Sequence, residues 1–568
     1  MFEHGSLSSR ALVVLLLACA LSTAHAANSP TRAAKGMVVS QNAIASEIGV
    51  QAMREGGSAV DAAVATAFAL AVVHPTAGNI GGGGFLIHRP DEGAPVAYDF
   101  RERAPAAASP EMWLDENGDY DRQKHHSSHA AVGVPGTVAG LYFAWQDSGR
   151  LPWKRLVEPA IALARDGFVV TDGLARSING TGMRRMAPYP ASVAQFTRDG
   201  EPLQAGDVLR QPDLAGTLAR IADAGPAGFY EGRTAELIVA DMKANGGLIT
   251  LEDLRNYEAV RRTPIEGTYR GYGVIGMPPP SSGGVTMVQI LNVLEGYDLT
   301  GSGFGSARTI HLMTEAMRRG YANRARFLGD PEFNPEMPID MLISKDYANG
   351  LRASIDADRA SVSTPDSFEW PYESMETTHF SVVDADRNAV SLTYTLEYSY
   401  GSGIVVPGGG FLLNNEMGDF NAKPGLTDET GLIGTAPNLA EPGKRMLSSM
   451  SPTIVTRDGE LFMVTGSPGG RTIINTTMQT IINVVDHGMQ AQAAVDAGRI
   501  HHQWLPDELN YERQMFSPDT LALLEAWGHA LDEDGNQGVA QVIVVDPESG
   551  VLEGGVDRRP PDGGAVGY

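Results

Sequence analysis

Two threonines, Thr377 and Thr395, stand opposite each other if the chain between them is a plain hairpin. Phe380 and Val382, then Val390, Leu392 and Tyr394, alternate with smaller or polar residues, which is the period-two pattern of strands. Asp384-Ala385-Asp386-Arg387-Asn388 supplies the turn. Pairing Asp384 with Asn388 sets Thr377 against Thr395, and directly opposed residues have Cβ atoms roughly 4.5–5.5 Å apart. One hydroxyl can then support the other. A bulge in the turn would shift the register by one residue, and two β-formers on a solvated strand face would give the same pattern. Farther on, Gly466-Ser467-Pro468-Gly469-Gly470 joins a hairpin over 453–464 to a helix over 471–485. Consecutive glycine N–H groups just before a helix are placed to hold a developing oxyanion, because the helix start has unpaired donors and positive potential. A tight turn is the plainer use of such a pair. Metal chemistry has less to stand on. Among the histidine clusters, His125 and His129 have helical i, i+4 spacing, but the glutamate of the common zinc motif is absent after His125. No G-x-S-x-G elbow of an α/β-hydrolase is present.

Several elements would have to position these groups. Ala59 to Val73 reads as a buried helix of small apolar residues, stopped by His74-Pro75. Gly81 to Gly84 leads into a strand at Phe85-Leu86-Ile87, and Val96 to Phe100 is its partner, delivering Arg101 at its end. Helices are expected over 156–165, 235–245 and 286–295, with Met277 to Gly284 as a rigid loop before the last. Residues 350–376 are polar and aperiodic and read as an exposed connection. Further hairpins turn at Asp458-Gly459 and at 547–550. Antiparallel hairpins mixed with helices fit α+β layers better than a doubly wound sheet.

The chain has 568 residues, 43% hydrophobic and 20% charged, with a net charge of −25. So acidic a surface repels nucleic acid and anionic lipid. Arg10, the apolar run 11–21 and Ala24-His25-Ala26 read as a signal peptide over 1–26, too short for a membrane span of about 20 residues. The protein is therefore expected to be exported, periplasmic or secreted. The single cysteine, Cys19, lies inside this segment. Cleavage after Ala26 leaves no disulfide or thiol chemistry, and lipidation of Cys19 is the alternative.

Taken together, Thr377-Thr378-His379-Phe380-Ser381, Thr393-Tyr394-Thr395, Leu413 to Phe420, Leu447 to Pro452 and Gly466 to Gly470 resemble the small subunit of γ-glutamyltransferases. Upstream, Gly81 to Phe85, Asp99-Phe100-Arg101-Glu102, Gly133-Val134-Pro135-Gly136 and Pro278 to Gly284 follow in that family's order. The resemblance implies a four-layer αββα sandwich of the N-terminal-nucleophile hydrolase type. It also implies self-cleavage between Glu376 and Thr377 into a large subunit, 27–376, and a small subunit, 377–568. Thr377 would be the nucleophile with its freed α-amine as base, Thr395 its orienting partner, and Gly469 and Gly470 the oxyanion donors. Arg101, Ser448 and Ser449 would take the α-carboxylate of a γ-glutamyl donor such as glutathione. Glu397, Glu416 and Asp419 would surround its α-ammonium, and the acyl group would pass to water or an amine. No cofactor is implied. Many relatives carry asparagine at the position of Glu397 and glutamine at that of Glu416. The segment 423–445 resembles the lid loop of some members. The rival readings are a glutaryl or β-lactam side-chain acylase of the same superfamily and an exported binding protein without catalysis.

Overall fold

The alternation along the strands decides the layering. In the computed structural model, which describes residues 28–364, 377–425 and 434–568, fourteen strands form two seven-stranded sheets. In chain order they are β1 Thr31–Ala33, β2 Met37–Ser40, β3 Gly83–Arg89, β4 Val96–Phe100, β5 Val260–Arg262, β6 Ile265–Tyr269 and β7 Tyr272–Gly276. The second half adds β8 Thr378–Val383, β9 Ala389–Thr395, β10 Thr453–Arg457, β11 Glu460–Gly466, β12 Gln541–Val545, β13 Leu552–Val556 and β14 Gly564–Gly567. One sheet runs β1-β13-β12-β11-β10-β7-β6 and the other β14-β2-β8-β9-β3-β4-β5. Neighbours are antiparallel throughout both sheets.

On β8 and β9 the large apolar residues Phe380, Val382, Val390, Leu392 and Tyr394 join one core with helix α1, Ala59–Val73. The residues between them, Val383 and Ala389, pack instead with Ile454, Val464 and Ile543 of the facing sheet. On that sheet's far side, Val274, Val455, Met463, Val542 and Val544 share a core with α2 Gly283–Leu294, α3 Ala307–Phe327 and α4 Thr472–Val485. The order of layers is thus helix, sheet, sheet, helix, the αββα sandwich that the sequence implied. Helix α1 is buried on every side, as its uniform apolar composition requires. Ser58 and Asp61 close a capping box at its start.

The row that carries Thr377 and Thr395 therefore faces the opposite sheet. Its inner members are polar and bonded across the gap. Ser381 Oγ donates to the Gln541 carbonyl and Ser391 Oγ to that of Thr465, each at 3.0 Å. His379 bonds Thr393 Oγ1 at 2.8 Å and Ser381 Oγ at 3.1 Å, and burial drags its pKa down to about 3, so the ring is neutral. The glycines around the start of β3 permit a close approach. A Cβ on Gly82 would fall 2.0 Å from the Thr395 carbonyl oxygen, and one on Gly84 2.4 Å from that of Thr393.

Of the stretch 350–376, read as an exposed connection, residues 365–376 lie outside the described residues; 350–364 are largely exposed but anchored. A helix covers Lys345–Ala353, and Ser361 and Ser363 are tied into a buried charge cluster. Ser361 donates from N to Glu315 at 3.0 Å, and Ser363 from N to Asp507 at 2.8 Å. Glu315 also pairs with Arg318 and Arg319, at 3.2 and 2.7 Å. Polar composition hid this because the partners are charges on distant elements. Burial pushes the Glu315 carboxyl up, but Arg318, Ser361 and Arg319 outweigh it and bring it to about 2. A carboxyl lowered on folding stabilises above its unfolded value of 4.5, and that contribution fades as pH falls toward 2. Glu315→Gln is expected to lower stability at pH 6 by about 2–3 kcal/mol and to flatten the loss between pH 4.5 and 2, as read by denaturant unfolding.

Candidate active site

The hairpin register is the one the turn predicts. Thr378 pairs with Tyr394, Phe380 with Leu392 and Val383 with Ala389, and Asp384 N–H bonds the Asn388 carbonyl at 3.0 Å. The same register carried one step outward sets Thr377 toward Thr395, and the two line one small cavity. Both are buried, with 5% and 2% exposure, which removes the solvated-strand alternative. Thr395 is held from both ends. Asn79 Nδ2 donates to its carbonyl and Glu397 N–H to its Oγ1, each at 2.9 Å. Glu397 has φ +76°, an uncommon conformation for a side chain other than glycine. It turns the chain so that N–H and carboxylate serve the same site.

Gly469 and Gly470 form the turn that opens α4, accepting from Thr472 N–H at 3.1 Å and Ile473 N–H at 3.2 Å. Their φ values, +132° and +56°, lie where glycine is favoured. They flank Thr377 on two sides. Gly470 lines a cavity of about 20 Å³ with Thr377, and Gly469 lines one of about 320 Å³ with the same threonine. Every other residue singled out from the sequence lines the small cavity: Arg101, Thr395, Glu397, Glu416, Asp419, Ser448 and Ser449.

That cavity is small because its own charges close it. Arg101, fully buried, pairs through Nη1 with Glu416 and through Nη2 with Asp419, and Glu102 lies 3.6 Å from Nη1. Burial pulls the guanidinium pKa down, but Glu416, Asp419 and Glu102 together raise it. Burial drives Glu102 up to about 8 and Glu416 well above the carboxylate range, while Arg101 pulls both the other way. Glu102 and Glu416 thus retain protons at pH values where a surface carboxylate has none. Glu102, Glu416 and Asp419 are all buried, as is Glu397.

Ser448 and Ser449 sit on a segment braced by the loop Met277 to Gly284. Ser282 donates from both N and Oγ to the Ser448 carbonyl at 2.7 Å, and Ser448 N–H bonds Pro280 O at 2.9 Å. Arg324, on α3, donates to Ser449 Oγ at 3.0 Å and Ser282 Oγ at 2.6 Å. Neither Arg324 nor His126, which bonds Glu397 Oε1 at 3.0 Å, was singled out in the sequence. Arg324 had no local signal, whereas His126 stood in a histidine cluster weighed only for metal. Of the segment 423–445, the described stretch 434–445 folds onto the site. Asn438 Nδ2 donates to the Asp419 carbonyl at 2.7 Å, and Asn438 Oδ1 accepts from Leu447 N–H at 2.8 Å.

Comparison with known proteins places relatives beside the chain as a whole. A family model described as Gamma-glutamyltranspeptidase matches residues 45–567. The glutathione hydrolase proenzyme of Escherichia coli (strain K12) is 50% identical over 542 residues, covering 95% of this chain and 93% of its own. Among solved structures, cephalosporin acylase from Bacillus halodurans superposes with a TM-score of 0.83 at 27% identity, over 100% of this chain and 99% of its own. The Helicobacter pylori gamma-glutamyltranspeptidase is 45% identical, with a TM-score of 0.55 over 56% of this chain and 91% of its own.

Proposed function

The chain belongs to the gamma-glutamyltranspeptidase family, and on that premise we propose that it is a γ-glutamyltransferase and glutathione hydrolase that cuts itself before Thr377. The observation that carries this reading is the buried pairing of Arg101 with Glu416 and Asp419 beside Thr377. It matches an α-amino acid head group in both signs. A donor's α-carboxylate takes Arg101, with the Ser448 and Ser449 hydroxyls, while its α-ammonium takes Glu416, Asp419 and Glu397. The free site has room for about one water molecule, so the head group enters by replacing an internal ion pair with two external ones. A forked guanidinium suits the carboxylate.

Cleavage between Glu376 and Thr377 frees an α-amine, whose ordinary pKa of about 7.7–8.0 lets it take the proton from Thr377 Oγ at neutral pH. The oxygen attacks the γ-carbonyl carbon, and Gly469 and Gly470 N–H groups hold the oxyanion. Collapse breaks the C–N bond, the proton passes to the leaving amine, and a γ-glutamyl ester remains on Thr377. Water or an acceptor amine then attacks the ester and restores the hydroxyl. The larger cavity beside Thr377 and Gly469 has the volume for the amine half of either step. Residues 27–376 and 377–568 become the two subunits, with small molecules as their partners.

The segment 1–26, outside the described residues, directs export. No helix among the described residues is long and apolar enough to cross a membrane.

An acylase for des-amino side chains is the second reading, favoured by the likeness to cephalosporin acylase. A glutaryl group would break the Arg101 pairs without giving Glu416 and Asp419 a cation in return. Hydrolysis of a γ-glutamyl anilide is therefore expected to exceed that of the glutaryl anilide by at least about 10³-fold in kcat/KM, since sites built around a polar group reject analogues without it. Equal rates would favour the acylase.

A further inference from the structure

Glu397 needs outside support for what it does. Its backbone is left-handed, its N–H holds Thr395 Oγ1, and its carboxylate walls the small cavity. Both carboxylate oxygens are met by side chains that enter from behind the site: Oε1 by His126 Nδ1 at 3.0 Å and Oε2 by Asn415 Nδ2. A carboxylate can only accept at this position, so His126 Nδ1 carries a proton. Asn415 Nδ2 also reaches the His126 carbonyl at 3.2 Å, binding the two anchors into one unit.

The imidazole is itself locked. His125 lies against one face at 4.3 Å between ring centroids, and Tyr398 lies 5.3 Å away. His125 bonds the Met417 carbonyl through Nε2 at 3.1 Å, and so donates there, leaving Nδ1 to accept from Tyr120 Oη at 3.0 Å. Gly418 seals the remaining side. A Cβ there would fall 2.3 Å from His126 Nδ1 and 2.5 Å from Glu397 Oε2. Burial lowers the His126 pKa to about 4; Asp419 opposes this, and Arg122 and Arg185 add to it. At neutral pH the ring is an uncharged Nδ1–H donor, so it adds no positive charge of its own to compete with a cation in the cavity.

We propose that His126 is a positioning residue for the donor pocket: its Nδ1–H fixes the Glu397 carboxylate where the substrate's α-ammonium sits, without touching substrate. This rests on the γ-glutamyl reading above. Because His126 acts through Glu397 on a group that binds and does not react, its removal should alter KM far more than kcat.

The test is the kinetics of the self-cleaved enzyme on a γ-glutamyl anilide, comparing wild type with H126L, H126N, E397N and the H126L/E397N pair. H126L is expected to raise KM about tenfold, equivalent to about 1.4 kcal/mol, with kcat held within about twofold. H126N keeps an N–H where Nδ1 stands and is expected to return KM to within about threefold of wild type. In the E397N background, H126L should change KM by less than about twofold, because the carboxylate it positions is gone. Wild-type KM in H126L, or the same tenfold loss in the E397N background, overturns the proposal. Should H126L fail to self-cleave, H126N against H126Q decides, since the glutamine amide reaches toward Nε2 instead. A raised KM in H126Q alone supports the role, and equal values overturn it. Failure of the γ-glutamyl reading would instead appear as a wild type inactive on the anilide.

Discussion

Thr377→Ala is expected to stop two reactions with one atom group: the chain stays uncut on a denaturing gel, and activity on a γ-glutamyl anilide falls by roughly 10⁴-fold or more. The reason is that the same hydroxyl is asked to attack twice. In the precursor it attacks the carbonyl of the preceding residue, and in the mature enzyme the γ-carbonyl of the donor. Its surroundings suit both. Thr377 is buried at the open end of the polar row between the sheets, and it shares cavities with Thr395 and with the Gly469-Gly470 turn at the start of α4. Thr377→Ser retains the hydroxyl and should still cleave. Two subunits in the alanine variant would mean that another group performs the cut.

Arg101→Met is expected to cost nearly as much by a different route. The guanidinium is fully buried against Glu416 and Asp419, with Glu102 close by. Removing one side of a buried pair leaves the other uncompensated, at about 3–5 kcal/mol, and the raised Glu102 and Glu416 would rise further and hold their protons more firmly. The donor also loses its carboxylate partner. kcat/KM for the γ-glutamyl anilide should fall by about 10³-fold, mostly in KM, with a clear drop in the unfolding midpoint. Adding Asp419→Asn to Arg101→Met removes one stranded charge and should recover part of the stability but none of the activity. If the double variant is less stable than Arg101→Met alone, the charges around this site are not arranged as described.

The threonine pair and the glycine pair were legible before the fold because they rest on local rules, whereas Arg101, Ser448, Ser449 and the acids came only with the family resemblance. The turn 384–388 fixes a register, the register fixes which threonines meet, and strand alternation fixes which face they share. The Gly469-Gly470 pair before a helix could be read the same way. What escaped was contact between distant elements. His126 and Arg324 touch the site through side chains whose neighbours in sequence carry no period or motif that points there. Ser361 and Ser363 looked like open chain because Glu315 and Asp507, which hold them, lie far away in sequence. The pairing of Arg101 with the acids it shares a pocket with was also invisible. Both partners were read as substrate ligands, and only their separation in space shows that they neutralise each other first.

Intact mass and N-terminal sequencing of the purified, active enzyme test the whole account most directly. Two chains are predicted, the smaller beginning with a free threonine at position 377. An enzyme that turns over γ-glutamyl substrates at full rate as one unbroken polypeptide would contradict it, because Thr377 would then have no α-amine to act as its base.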